Sequence, residues 1–120
     1  MKMNVIGGDL ESCSTNPMTG FFRDGCCNTS GKDQGMHTVC AVMTEDFLVY
    51  SRAMGNDLMT PRPEFDFPGL KPGERWCVCL GRWMEALEAG HAPPVVLAAT
   101  HGSVSEFVDR DVLEAHAWTG

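Results

Sequence analysis

The sequence predicts an α+β fold: a compact two-layer domain in which a small, mostly antiparallel sheet packs against two to four helices. Three observations lead there. Short β-rich runs, His37 to Met43, Arg75 to Leu80 and Val95 to Ala99, are interspersed with segments of helical periodicity. Asp24-Gly25, between Phe21-Phe22-Arg23 and Cys26-Cys27, is a two-residue hairpin signal early in the chain. Finally, 120 residues, 43% of them hydrophobic, suffice for one domain spanning 1–120 with a core that needs no disulfide staples.

The first 36 residues are rich in Gly, Ser, Thr, Asn and Asp and should be loop-dominated. The run HTVCAVM that follows is short and apolar enough for a strand. Thr44 then reads as an N-cap, with Glu45 and Asp46 suiting the start of a helix. Phe47, Tyr50, Ser51 and Met54 repeat at helical spacing, and Gly55-Asn56 ends the helix. From Asn56 to Gly73 the prolines forbid a helix or a central strand, so an ordered extended loop is expected. Pro72-Gly73 turns the chain into the strand from Arg75, where Trp76, Val78 and Leu80 face one way and Arg75, Cys77 and Cys79 the other. Leu80, Trp83, Met84 and Leu87 form the stripe of a second helix, from near Gly81 to Gly90. After Pro93-Pro94, Val95 to Ala99 should be a buried strand. The tail from Ser103 to Ala117 should be helical in one or two pieces, with Ser103 and Glu106 spaced as a capping box and Asp109 as a second cap.

Several function classes are excluded by composition. A net charge of −7 with interleaved signs between Arg52 and Arg82 leaves no basic stripe for nucleic acid. No apolar run approaches the roughly 18–20 residues of a membrane span, and MKMNVIGGDLES has no signal-peptide core. A cytoplasmic protein with reduced thiols is the expectation. No Gly-rich phosphate loop, serine nucleophile elbow or HExxH pattern is present, and the sequence names no cofactor.

The segments CSTNPMTGFFRDGCCNT, HTVCAVMTEDFL, GNDLMTPRPEFDFPGLKPGERWCVCLGRW and APPVVLAATH together resemble the bacterial family known as domain of unknown function 2237. The resemblance runs from Asn4 to about Ala117. It implies a compact two-layer α+β domain, bacterial and cytosolic, and it brings no established activity.

The chemistry must therefore be sought in the six cysteines. The vicinal Cys26-Cys27 and the alternate Cys77-Cys79 match neither the usual zinc spacing nor that of iron–sulfur clusters, so no residue is assigned to a metal. Cys77 and Cys79 share a strand face with Cα atoms about 6.5–7 Å apart, at the edge of disulfide reach. Cys79 lies just ahead of the second helix, flanked by Arg75 and Arg82, where the helix dipole and guanidinium groups favour thiolate. Arg82 itself opposes that dipole and calls for a partner. Cys79 and Cys77 are the candidate catalytic residues, with one of Cys26 or Cys27 reaching the same site. Arg62, Arg75, Arg82, His37 and His101 complete the candidate binding set for a thiol-active or small-anion site. Arg62, held between two prolines, could clamp an anion or form a loop-fixing bridge with Glu64, the latter being the plainer expectation. Two rivals stand beside this reading. One is a non-catalytic structural or interaction protein whose cysteines are packed core; the other is a Cys/His zinc-binding protein. A small molecule or another protein would be the partner.

Overall fold

The computed structural model of the protein describes residues 2–119. Two strands, β1 (Val39–Val42) and β2 (Arg75–Val78), pair antiparallel with Cys40 opposite Cys77 and Ala41 opposite Trp76. Helix α1 (Glu45–Ala53) follows β1 directly, and α2 (Leu80–Ala89) follows β2. Helix α3 (Arg110–Ala115) and single 3-10 turns at Pro63–Phe65, Leu97–Ala99 and Gly102–Glu106 complete the regular structure. This is the small α+β arrangement that the sequence predicts.

Local chemistry explains the helices. The Thr44 hydroxyl accepts from the Phe47 N–H, satisfying one of the donors left over at the start of α1. Helix α2 buries Leu80, Trp83 and Ala86 and stops at Gly90, whose φ of 83° is open to glycine at little cost. Trp83 is fully buried and donates its indole N–H to the Pro93 carbonyl, so its large apolar area is covered with no polar atom stranded.

The β1–β2 pair separates two cores. Val39, Ala41, Trp76 and Val78 point into the main hydrophobic core, with Phe47, Leu48, Trp83 and Leu113. Their strand neighbours Cys40 and Cys77 point the other way, into a second cluster with Cys13, Cys27 and Ala99.

Four local expectations are corrected. Asp24-Gly25 makes no hairpin: the Asp24 carboxylate accepts from the Cys26 N–H, and Gly25 is tied to Cys13, Ser14 and Thr19. Val95 to Ala99 is not a strand; only Val95 bridges, to Ala41 and Ala117, and the chain then coils as Thr100 returns a hydrogen bond from its hydroxyl to the Val96 carbonyl. Instead of a Ser103–Glu106 capping box, the His101 ring caps the turn by accepting from the Ser103 N–H. The cysteines are not all reduced: Cys13–Cys40 and Cys27–Cys77 are disulfides, leaving Cys26 and Cys79 free.

Candidate functional site

Cys79 occupies the N-cap position of α2, one residue past the end of β2, and is half-buried. The turn across from it runs from Thr29 to His37. Asp33 accepts from the Thr29 hydroxyl and from the His37 backbone N–H, and the Met36 N–H donates back to the Asp33 carbonyl. The Met36 carbonyl accepts in turn from the Leu80 N–H at 3.0 Å. That bond joins the turn to the first residue of α2 and sets His37 beside Cys79.

The three side chains lie side by side. His37 Nδ1 is 2.7 Å from Asp33 Oδ1, and the ring and the Cys79 sulfur pack against the same turn at Gly35. Asp33 is completely buried in its side chain, while the imidazole is 37% exposed. The hydrogen bond to Cys79 is the largest influence on His37; burial opposes it, and the Asp33 bond and the charges of both partners add to it. The net result raises His37 from 6.5 to about 9, so the ring is an imidazolium at neutral pH. For Asp33, burial disfavours the carboxylate, but the His37 backbone N–H, the His37 ring and the Thr29 hydroxyl outweigh it and hold the group below its ordinary range.

Gly35 is part of this geometry. A Cβ there would sit 3.0 Å from His37 Cε1 and 3.2 Å from Cys79 Sγ, so the bare backbone lets both pack close to this turn. At the start of α2, the N–H groups of Gly81 and Arg82 have no acceptor among the described residues. They are the donors that a helix leaves unused in its first turn, beside the sulfur.

Cys79 and His37 open onto a cavity of about 370 Å³. Its walls include Phe21, Phe67 and Trp76 and the cations Arg23 and Arg62, with Asn56 and Asp57 on the Pro-rich loop. Phe21 stacks on the His37 ring with centroids 6.3 Å apart.

The other sequence candidates are distributed unevenly. Cys77 also lines the cavity, but its sulfur is bonded to Cys27, so neither carries a thiol in this state. Cys26 keeps its thiol, and burial and then the Asp24 carboxylate push its pKa up. Arg62 reaches the cavity, and no ion pair with Glu64 forms among the described residues. Arg82 turns away to the Met54 carbonyl and Glu85, the carboxylate partner its position called for. Arg75 stacks over Trp118, 4.5 Å from the ring centroid, and lies outside the cavity lining. His101 is engaged with Ser103 in a different depression. Arg75, Arg82 and His101 are thus not brought to Cys79. Sequence reasoning missed Asp33, Arg23 and Gly35. The one legible signal was an acid four residues before His37 in a Gly-rich segment, which favours a turn that folds the carboxylate back.

In the other core the sulfurs of Cys13, Cys27 and Cys77 all lie within 4.8 Å of one another, and both disulfides pass through this nest. No helix among the described residues is long and apolar enough to cross a membrane.

The fold and site define a small α+β domain with a Cys–His–Asp chain at the mouth of a cavity. By its sequence the chain belongs to a family of uncharacterized proteins conserved in bacteria, DUF2237, which it matches over residues 3–117. No curated protein matches it.

Proposed function

We propose that this domain is a thiol-dependent enzyme of acyl transfer or hydrolysis, with Cys79 as nucleophile, His37 as its proton-transfer partner and Asp33 as the group that orients His37. The observation that carries this is the placement of His37, bonded to the buried Asp33 at 2.7 Å, beside the Cys79 sulfur where both line the cavity. Gly35 adds to this: a side chain there would press on the His37 ring and the Cys79 sulfur together, so both groups sit against one turn.

In the proposed reaction the Cys79 thiolate attacks an acyl carbon and forms a sulfur–carbon bond. The leaving group departs with the His37 Nε2 proton. Neutral His37 then takes a proton from water, the hydroxide attacks the thioester, and Cys79 is released as thiolate beside imidazolium. The free N–H groups of Gly81 and Arg82 supply the positive end of α2 for the developing negative charge. Asp33 fixes the ring so that Nε2, not Nδ1, faces sulfur.

The decisive measurement is alkylation of the native protein, with the modified residue located by mass spectrometry. Cys79 should react well ahead of Cys26, and faster than the same thiol in H37A. Equal rates in the wild type and H37A would remove the reading. We further infer a cytoplasmic protein with a small-molecule partner and no nucleic-acid role, supported by the acidic net charge of −7 and the size of the cavity. In the cytosol the two disulfides would have to resist reduction, which the burial of all four sulfurs favours. Trapping free thiols in intact cells tests this: four alkylated nest cysteines would contradict it.

A further inference from the structure

We propose that the cavity selects small carboxylates bearing an aromatic or similarly flat apolar body. This assignment rests on the Cys79 reading above and names the substrate class of that site.

Charge is the first argument. The whole protein has nine Lys and Arg residues and a net charge of −7, yet Arg23 and Arg62 both line this cavity. The one acid among its lining residues, Asp57, is already occupied by the Met59 and Thr60 N–H groups and the Thr60 hydroxyl. Arg62 has no side-chain partner among the described residues. Its backbone is nevertheless held, with its N–H donating to the Phe67 carbonyl at 2.7 Å and its own carbonyl accepting from Phe65 and Phe67. Arg23 donates one N–H to the Met18 carbonyl and keeps the rest of its fork free. Two guanidinium groups on different loops of one cavity, one held by the Met18 carbonyl and one on a fixed backbone, fit a carboxylate.

Shape and surface supply the second argument. Phe67 packs edge-on against Trp76 with centroids 5.2 Å apart, and the Arg23 guanidinium lies 5.4 Å above the Trp76 ring. Phe65 is 69% exposed on the Pro-rich loop and Phe21 covers His37. Such walls favour a flat apolar ligand over a bare hydrated anion such as phosphate.

Two alkylating reagents separate this proposal from the reading beneath it. Iodoacetate and iodoacetamide both place a carbon on sulfur and release iodide; they differ in that the first is a carboxylate. Relative to a small thiol in solution, Cys79 should favour iodoacetate by about tenfold or more, near what one charge-assisted hydrogen bond contributes. R62A should lower that ratio by a similar factor, and R23A should lower it too. Phenylacetate should protect Cys79 at lower concentration than acetate or inorganic phosphate does. A Cys79 that reacts quickly with both reagents, without preference, overturns the carboxylate assignment and leaves the nucleophile standing. Protection by phosphate equal to that by phenylacetate overturns the class as well. Failure to react with either reagent removes the nucleophile itself.

Discussion

On one face of the β1–β2 pair, Cys13, Cys27, Cys40 and Cys77 are buried and bonded in pairs; one residue beyond the end of β2, Cys79 is half-exposed and lies beside the His37 imidazolium. The two groups are neighbours along the chain, and Cys77 and Cys79 line the same cavity. Their surroundings differ in kind. The nest has apolar neighbours and disulfide partners, and it fastens the loop-rich first third of the chain to the sheet. Cys79 has a cation, a helix start and open space. The same element is architecture in one place and chemistry in the other, and what decides is the partner each sulfur meets.

The largest expected effects break the Cys79 side of this comparison. C79S should abolish fast alkylation, and H37A should slow it by about 10–30-fold, because an ordinary thiol is only a few per cent thiolate at neutral pH. Rates measured at neutral pH on both variants check this. The nest should respond in stability instead. Replacing Cys27 and Cys77 together by Ala should cost about 2–5 kcal/mol, measured by denaturant unfolding, because a link across 50 residues is lost from the unfolded chain's constraints. If that variant instead loses all Cys79 reactivity while remaining as stable, the two regions are not separable in this way.

An intermediate effect comes from pH. His37 is raised from 6.5 to about 9, so its contribution to stability is fully present below about 6.5 and is lost as pH rises through about 9. Asp33 is lowered, so its contribution is present above its unfolded value of 3.8 and is lost as pH falls through its folded value. Unfolding free energy measured against pH should therefore fall toward both ends, and H37A should flatten the alkaline limb. A limb unchanged in H37A would mean the ring is not held by its two partners.

Smaller changes sharpen the boundary. G35A should push the ring and sulfur apart, slowing alkylation several-fold, with about 1 kcal/mol or less lost in stability, since only a few tenths of an ångström must give. R82A should be nearly silent in alkylation and cost about 0–1 kcal/mol, because its ion pair with Glu85 is at the surface. A strong loss of reactivity in R82A would return that arginine to the site.

Much of the scaffold was legible. The Thr44 cap, the Leu80–Trp83 stripe, the Gly90 stop and the alternation of Trp76 and Val78 against Cys77 are local patterns, and the structure follows each. Arg75 and Arg82 were legible as neighbours of Cys79 in sequence, but flanking along the chain does not set direction: one stacks on Trp118 and the other reaches back to Met54. Arg62 was read onto the right loop and reaches the cavity, without the Glu64 bridge.

By itself, the sequence determined the α+β class, the bounds of α1 and α2 and the position of Cys79 at the start of α2, because periodicity, caps and strand alternation act over a few residues. Only the tertiary structure decided which sulfurs pair and which stays free, since those partners lie 27 and 50 residues apart. It also decided that Asp33 and His37 belong to Cys79. That junction depends on the Leu80 N–H meeting the Met36 carbonyl, a bond between two segments that no local pattern relates.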